Sequence, residues 1–178
     1  MEVYRPAEDS YLLAKYVEKL VQRRVLDMGT GSGIQAVTAA KKENVTHVTA
    51  VDLNPAALES AKKRAEDEGV SEKVDFLLSD LYENVSCCFD WILFNTPYLP
   101  SEGEADEISW AGGLTGSETI KRFLKDSSRF LTKGGSILML YSSLSNINKE
   151  DLVGFECILL EEKSLFFEKM YCVRLNPS

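Results

Sequence analysis

Asn95-Thr96-Pro97-Tyr98 directly follows the apolar run Trp91 to Phe94, and it combines a side-chain carbonyl, a rigid turn and a flat ring. An apolar run that short, closed by a polar residue and a proline, reads as a buried strand ending in a turn. Open α/β sheets keep their ligand crevice at the carboxyl ends of such strands. There Asn95 offers an acceptor, Pro97 fixes the turn and Tyr98 presents an aromatic face. Together they have the chemistry to hold a planar NH2 group.

A second constellation stands earlier in the chain. Asp27-Met28-Gly29-Thr30-Gly31-Ser32-Gly33 follows a predicted strand and opens a predicted helix. Glycines at such a junction permit a tight turn and a close approach of backbone to ligand. The dinucleotide fingerprint requires Gly or Ala one position beyond Gly33, and Ile34 stands there instead, which disfavours a nicotinamide dinucleotide. Asp52, at the end of the next strand, is placed to accept hydrogen bonds from ribose hydroxyls. Asp80 closes the third strand. Acids at successive strand ends make a crevice that repels a pyrophosphate and suits hydroxyls beside a cationic centre, a description that S-adenosyl-L-methionine meets.

The elements that position these groups follow from the spacing of apolar residues. Leu12, Leu13, Tyr16, Val17 and Leu20 recur at helical spacing within Pro6 to Val21, behind a proline and the acids Glu8 and Asp9. Strands are predicted at Arg24 to Met28, Val45 to Val51, Val74 to Leu78, Phe89 to Phe94 and Ser136 to Tyr141. Helices are predicted at Ile34 to Lys42, from Asn54-Pro55 to Glu68 with Gly69 as its stop, and at Thr119 to Leu131 closed by Lys133-Gly134-Gly135. Phe155 to Leu175 reads as two strands with a turn near Glu162 to Ser164. The alternation predicts a doubly wound α/β fold: a mostly parallel seven-stranded sheet with an antiparallel C-terminal edge hairpin. Residues 1–178 read as one domain, with 1–22 as an N-terminal helical lid segment. Residues 101–116 form the one long irregular stretch, with Asp106 and Glu107 as a solvated face.

Composition narrows the classes. The 178 residues are 44% hydrophobic and 27% charged, with a net charge of −8, which argues against a broad nucleic-acid footprint. No apolar stretch approaches the ~20 residues of a membrane span. The N-terminus is too acidic for a secretory signal. Cys87 and Cys88 are adjacent, Cys157 and Cys172 distant, and no Cys/His spacing suits a metal, so free thiols in a reducing cytoplasm are expected and no metal in this chain. His47, within an apolar strand, reads as structural.

These residues resemble the class I S-adenosylmethionine-dependent methyltransferases, in which the signature Asn-Pro-Pro-Tyr serves enzymes that methylate planar amino or amide nitrogens. The opening Val3-Tyr4-Arg5-Pro6-Ala7-Glu8-Asp9-Ser10 and the segment Trp110-Ala111-Gly112-Gly113 with Gly116 are similar to the archaeal and eukaryotic HemK-type protein glutamine methyltransferases of translation release factors. The resemblance implies methylation of the glutamine amide in the Gly-Gly-Gln tip of a termination factor, and a small zinc-binding activator subunit. It implies that Asp27 and Gly29 line the methionine end of the cofactor, that Ser10 closes over it, and that Gly31 and Gly33 belong to the cofactor-binding residues. Asp52 takes the ribose, Asp80 and the backbone of Leu81 the adenine, and Asn95, Thr96, Pro97 and Tyr98 the glutamine. Thr96 departs from the signature's first proline but keeps the backbone carbonyl that serves as second acceptor. If the strand Val74 to Leu78 lies at the sheet edge, it is the natural seat for the activator.

Two other functions fit the same residues. One is methylation of an exocyclic amino group on a nucleic-acid base, against which stands the acidic balance. The other is a non-catalytic cofactor-binding subunit, against which stand the residues expected around the transferred group.

Overall fold

A computed structural model describes residues 6–97, 117–165 and 167–178. Seven strands form one sheet in the order β3-β2-β1-β4-β5-β7-β6. They are β1 Arg23–Met28, β2 Val45–Asp52, β3 Val74–Leu78, β4 Phe89–Asn95, β5 Leu131–Ser142, β6 Phe155–Leu165 and β7 Glu168–Pro177. β1 to β5 run parallel, and β7 lies antiparallel between β5 and β6. The expected doubly wound sheet with its antiparallel C-terminal hairpin is therefore present.

The helices are α1 Glu8–Leu20, α2 Ile34–Ala40, α3 Pro55–Asp67 and α4 Glu118–Ser127. Successive strand residues point to opposite faces, which splits the core in two. Val25, Leu93, Leu138 and Leu140 pack with Leu13 and Val17 of α1 and Ala36 and Ala40 of α2. Leu26, Ile92, Phe94 and Met139 pack on the other face with Ile120, Phe123 and Leu124 of α4. Asn54 caps α3 by accepting from the Ala56 N–H at 2.9 Å, and Pro55 occupies the first turn, as the Asn-Pro pair predicts.

Two boundaries differ from expectation. α4 stops at Ser127, and β5 already begins at Leu131, four residues before Gly135. A glycine pair reads as a breaker, but Gly135 lies inside the strand where a Cβ would come 3.0 Å from the Phe89 carbonyl oxygen, so close packing on β4 selects it. The hairpin turn lies beyond Leu165, since Glu162, Lys163 and Ser164 pair with Tyr171, Met170 and Lys169. Their polar side chains answer partners elsewhere, Lys169 for Glu162 and Glu8 for Lys163, and do not mark a turn.

Candidate active site

The register aligns the predicted site residues along one edge of the sheet. Met28 pairs with Val51 and with Phe94, so Gly29, Asp52 and Asn95 each follow on adjacent strands. Asp52 in turn pairs with Leu78, two residues before Asp80. Four chain segments separated by tens of residues thus meet at the carboxyl ends of β1 to β4.

The wall built by β1 and β2 is tied together by its own carboxylates. Asp27 Oδ2 accepts from the Thr30 hydroxyl at 2.6 Å and from the Ala36 N–H at 3.0 Å, closing the glycine loop onto the start of α2. Burial pushes its carboxyl up to about 7, against the pull of those two hydrogen bonds. Asp52 Oδ2 accepts from the Gly31 N–H at 2.9 Å, and its Oδ1 from the Asn54 N–H at 2.9 Å. Burial raises the Asp52 carboxyl too. Gly33 has a φ of +79°, and a Cβ there would lie 2.7 Å from Ala61 Cα, so only glycine lets the loop enter α2 this close to α3.

At the β3 end the backbone turns sharply. Leu81 sits at φ +48°, an uncommon conformation for a branched side chain. Ser79 holds it there: its hydroxyl donates to the Leu81 carbonyl and accepts from the Asn84 N–H, both at 2.9 Å. Asp80 accepts from Arg122 of α4 at 2.8 Å. Beside this turn lies a cavity of about 490 Å³ whose lining includes Asp80, Leu81, Tyr82, Arg122, Lys125 and Phe130.

The wall built by β4 and α1 has a different character. Asn95 Nδ2 donates to Asp9 Oδ2 at 3.0 Å, and the Ser10 hydroxyl donates to Asp9 Oδ1 at 3.3 Å. Gln35 Nε2 donates to the Ser10 carbonyl at 2.8 Å. The Thr96 N–H is held by the Leu140 carbonyl at 3.1 Å. Yet among the described residues Asn95 Oδ1, Gln35 Oε1 and the Thr96 hydroxyl are buried with no hydrogen-bond partner. Buried polar groups are normally satisfied, so two unpartnered carbonyl acceptors on neighbouring segments are the atoms here that a ligand's N–H or O–H donors would complete.

Among the predicted residues, Asp27, Gly29, Gly31, Gly33, Asp52, Asp80, Leu81, Ser10, Asn95, Thr96 and Pro97 belong to these connected strand ends and loops. Tyr98, Trp110, Gly112, Gly113, Gly116, Asp106, Glu107 and the segment Val3 to Arg5 lie outside the described residues. Asp9, Gln35 and Arg122 were not anticipated. In sequence Asp9 has the pattern of a helix-start acid, and its burial at 3% exposure is what marks it out. Gln35 is a lone amide in a helix of small apolar residues, a readable signal. His47 pairs with Asp75 across β2 and β3 at 3.0 Å, in keeping with a structural place.

A sheet of this order with this crevice defines the class I methyltransferase architecture, and comparison with known proteins supports it. The methyltransferase small domain profile matches residues 6–155, so the chain belongs to that methyltransferase family, whose members use S-adenosylmethionine. A Methanocaldococcus jannaschii protein assigned as a protein N5-glutamine methyltransferase is 38% identical over 97% of this chain and 90% of its own length. The release factor glutamine methyltransferase of Rhodopirellula baltica is 35% identical over 79% of this chain, and the match spans only 57% of that longer protein. Among solved structures, a chain of the E. cuniculi Mtq2–Trm112 complex, responsible for methylation of the eRF1 translation termination factor, aligns over 100% of both chains. Its TM-score is 0.74 at 26% identity. Among the described residues no helix is long and apolar enough to cross a membrane.

Proposed function

We propose that this chain transfers a methyl group from S-adenosylmethionine to the side-chain amide nitrogen of the glutamine in the Gly-Gly-Gln tip of a translation termination factor. The observation that carries the reading is the buried Asn95 Oδ1 at the carboxyl end of β4, an acceptor with no partner among the described residues and of the kind that a primary amide's N–H groups satisfy. The relatives named for glutamine methylation and the termination-factor complex point to the same acceptor.

The residues present fit the cofactor. Positive φ at Gly29, Gly31 and Gly33 turns the loop tightly after β1, Asp52 keeps lone pairs for ribose hydroxyls, and Asp80 with the turned backbone of Leu81 suits an adenine edge. Gln35 Oε1 is an added acceptor on the methionine side. When bound, the cofactor supplies an electrophilic methyl group on a sulfonium. An amide nitrogen is a poor nucleophile because its lone pair is delocalised into the carbonyl. Asn95 Oδ1 and the Thr96 carbonyl accept its two N–H groups and so fix the plane in which the nitrogen would meet the methyl group. With the cofactor bound, its methyl group would pass from sulfur to this nitrogen, which would then give up one proton to water, so this chain need supply no strong base. Both acceptors bind more strongly as positive charge grows on nitrogen, so they favour the transition state over the ground state. Tyr98 and Pro97 complete the grip on the glutamine in this reading, Ser10 closes the cofactor end, and residues 1–178 act as one catalytic domain with 1–22 as its lid.

A small zinc-binding activator subunit is seated on β3 in this account. β3 pairs with β2 alone, at one end of the sheet order, and Leu78 there is 48% exposed. An unpaired edge with an exposed leucine accepts an added strand. Capture of the activator at wild-type level by Phe76→Pro would refute that seat.

The function is tested by incubating the chain and activator with labelled cofactor and either the termination factor or its variant lacking the tip glutamine. One methyl per factor, absent from the variant, is expected. Equal labelling of the variant, or label on nucleic acid only, would move the acceptor elsewhere.

A further inference from the structure

We infer that Asp9 is the positioning residue for Asn95: its carboxylate holds the Asn95 amide with the carbonyl oxygen toward the acceptor nitrogen and strengthens that oxygen as an acceptor. The inference rests on the reading that Asn95 holds the substrate amide.

An asparagine amide is nearly symmetric in shape, and its two ends differ only in whether they donate or accept. A carboxylate only accepts. With Asp9 Oδ2 at 3.0 Å, the end of Asn95 that faces it must be the NH2. Turned over, the amide would set oxygen against oxygen at that distance, with both buried. The opposite end is therefore Oδ1, the atom left buried without a partner. An asparagine without Asp9 would have no reason to prefer that orientation over the one that offers NH2 to the substrate NH2, which would repel it.

The carboxylate is itself held from several sides. It lies in the first turn of α1, two residues after the N-cap Ala7, where the partial positive charge of the helix N-terminus offsets part of the cost of burial. Ser10 donates to its other oxygen, and the Ser10 carbonyl is tied to Gln35 of α2. Along its length α1 is fastened to β6. Glu8 pairs with Lys163 at 3.0 Å, and the Tyr16 hydroxyl donates to the Leu160 carbonyl at 3.1 Å. A carboxylate fixed in this way cannot follow Asn95 into another rotamer.

The charge matters as well as the geometry. Accepting from Nδ2 polarises the Asn95 amide toward its oxygen, and linked hydrogen bonds strengthen one another. Positive charge that grows on the substrate nitrogen is thus felt at Asp9 through one intervening amide. Asp9 touches neither methyl nor nitrogen and takes no proton.

The test is single-turnover methyl transfer with saturating cofactor, termination factor and activator, comparing wild type, Asp9→Asn, Asp9→Ala, Asn95→Ala and the Asp9→Ala/Asn95→Ala pair. Asp9→Ala is expected to slow transfer by roughly 10- to 100-fold, the range of a charge-assisted hydrogen bond. Calorimetric cofactor affinity is measured on the same variants, because Ser10, which donates to Asp9, closes over the cofactor; any loss of affinity is expected to be smaller than the loss of single-turnover rate at saturating cofactor. Asp9→Asn, which can still accept from Nδ2 but carries no charge, should fall between. The double variant should be no slower than Asn95→Ala alone. Independently of activity, the Asn95 side-chain amide protons in the substrate-free protein should lose their hydrogen-bonded chemical shift in Asp9→Ala.

An unchanged rate in Asp9→Ala, additive losses in the double variant, or a loss confined to cofactor affinity would overturn the inference. If the wild type leaves the glutamine unmethylated, the proposed function fails, and the amide resonances alone decide whether Asp9 orients Asn95.

Discussion

The two walls of the crevice are built from similar groups to opposite effect. On the β1–β2 wall the carboxylates of Asp27 and Asp52 have spent their strongest hydrogen bonds on the protein itself, on Thr30, Ala36, Gly31 and Asn54. On the β4–α1 wall, Asn95 and the adjoining Gln35 of α2 each donate a hydrogen bond, and their carbonyl oxygens are buried without a partner among the described residues. The first wall is a frame that holds a loop in shape for a cofactor. The second is preorganised and incomplete until a ligand brings donors. A hydrogen bond lost from the frame should cost stability, and one lost from the open wall should cost rate.

Gly33→Ala should strike the frame hardest. A side chain at φ +79° and 2.7 Å from Ala61 Cα brings both backbone strain and overpacking, together roughly 2–5 kcal/mol. Urea denaturation reads this directly, and a midpoint equal to wild type would mean that the α2–α3 approach is not tight.

Asp27 gives the frame a pH signature. Its carboxyl is about 7 when folded against 3.8 ordinarily, so between those values the folded state binds more protons than the unfolded chain. This group's contribution is therefore greatest below about pH 4 and is lost as pH rises through 7, with a slope of at most ~1.4 kcal/mol per pH unit. Asp27→Asn should flatten that part of the profile while keeping acceptors for Thr30 and Ala36. Parallel wild-type and variant profiles from pH 4 to 8 would show that Asp27 is ordinary.

The smallest effects come from one substitution made on both walls. At pH 8, where Asp27 is ionised, Thr30→Val removes the 2.6 Å donor to Asp27 and should cost about 1.5–3 kcal/mol, as hydrogen bonds to charged groups do. Thr96→Val removes a buried hydroxyl that already lacks a partner, and should leave stability unchanged or raise it by up to ~1 kcal/mol. Equal losses at the two positions would erase the distinction between the walls.

What was legible in the sequence follows the same division. The glycine loop, Asp52 and Asn95 are each announced by neighbours in the chain: a strand before, a turn or helix after, and a spacing that allows little else. The order of elements was readable for the same reason. The long-range contacts were not. Asp9 meets Asn95 across 86 residues and Arg122 meets Asp80 across 42, and no local pattern encodes either distance. Local rules also failed where tertiary packing overrode them. Gly134-Gly135 looked like the end of a helix and lies within β5, while Glu162 to Ser164 looked like a turn and lies within edge strand β6. Thr96 shows the limit most plainly. Its departure from proline was visible, but that its hydroxyl would be buried and open was a property of the assembled wall.

The most direct test of the account is single-turnover methyl transfer to the termination factor by wild type and Asn95→Ala, read by mass spectrometry, with cofactor affinity measured on the same preparations. The account predicts at least a roughly 100-fold slower transfer in the variant, the scale of a lost transition-state acceptor, with cofactor affinity preserved. A variant that binds cofactor poorly but transfers at the wild-type rate once saturated would place Asn95 on the frame, and the division between the two walls would fall.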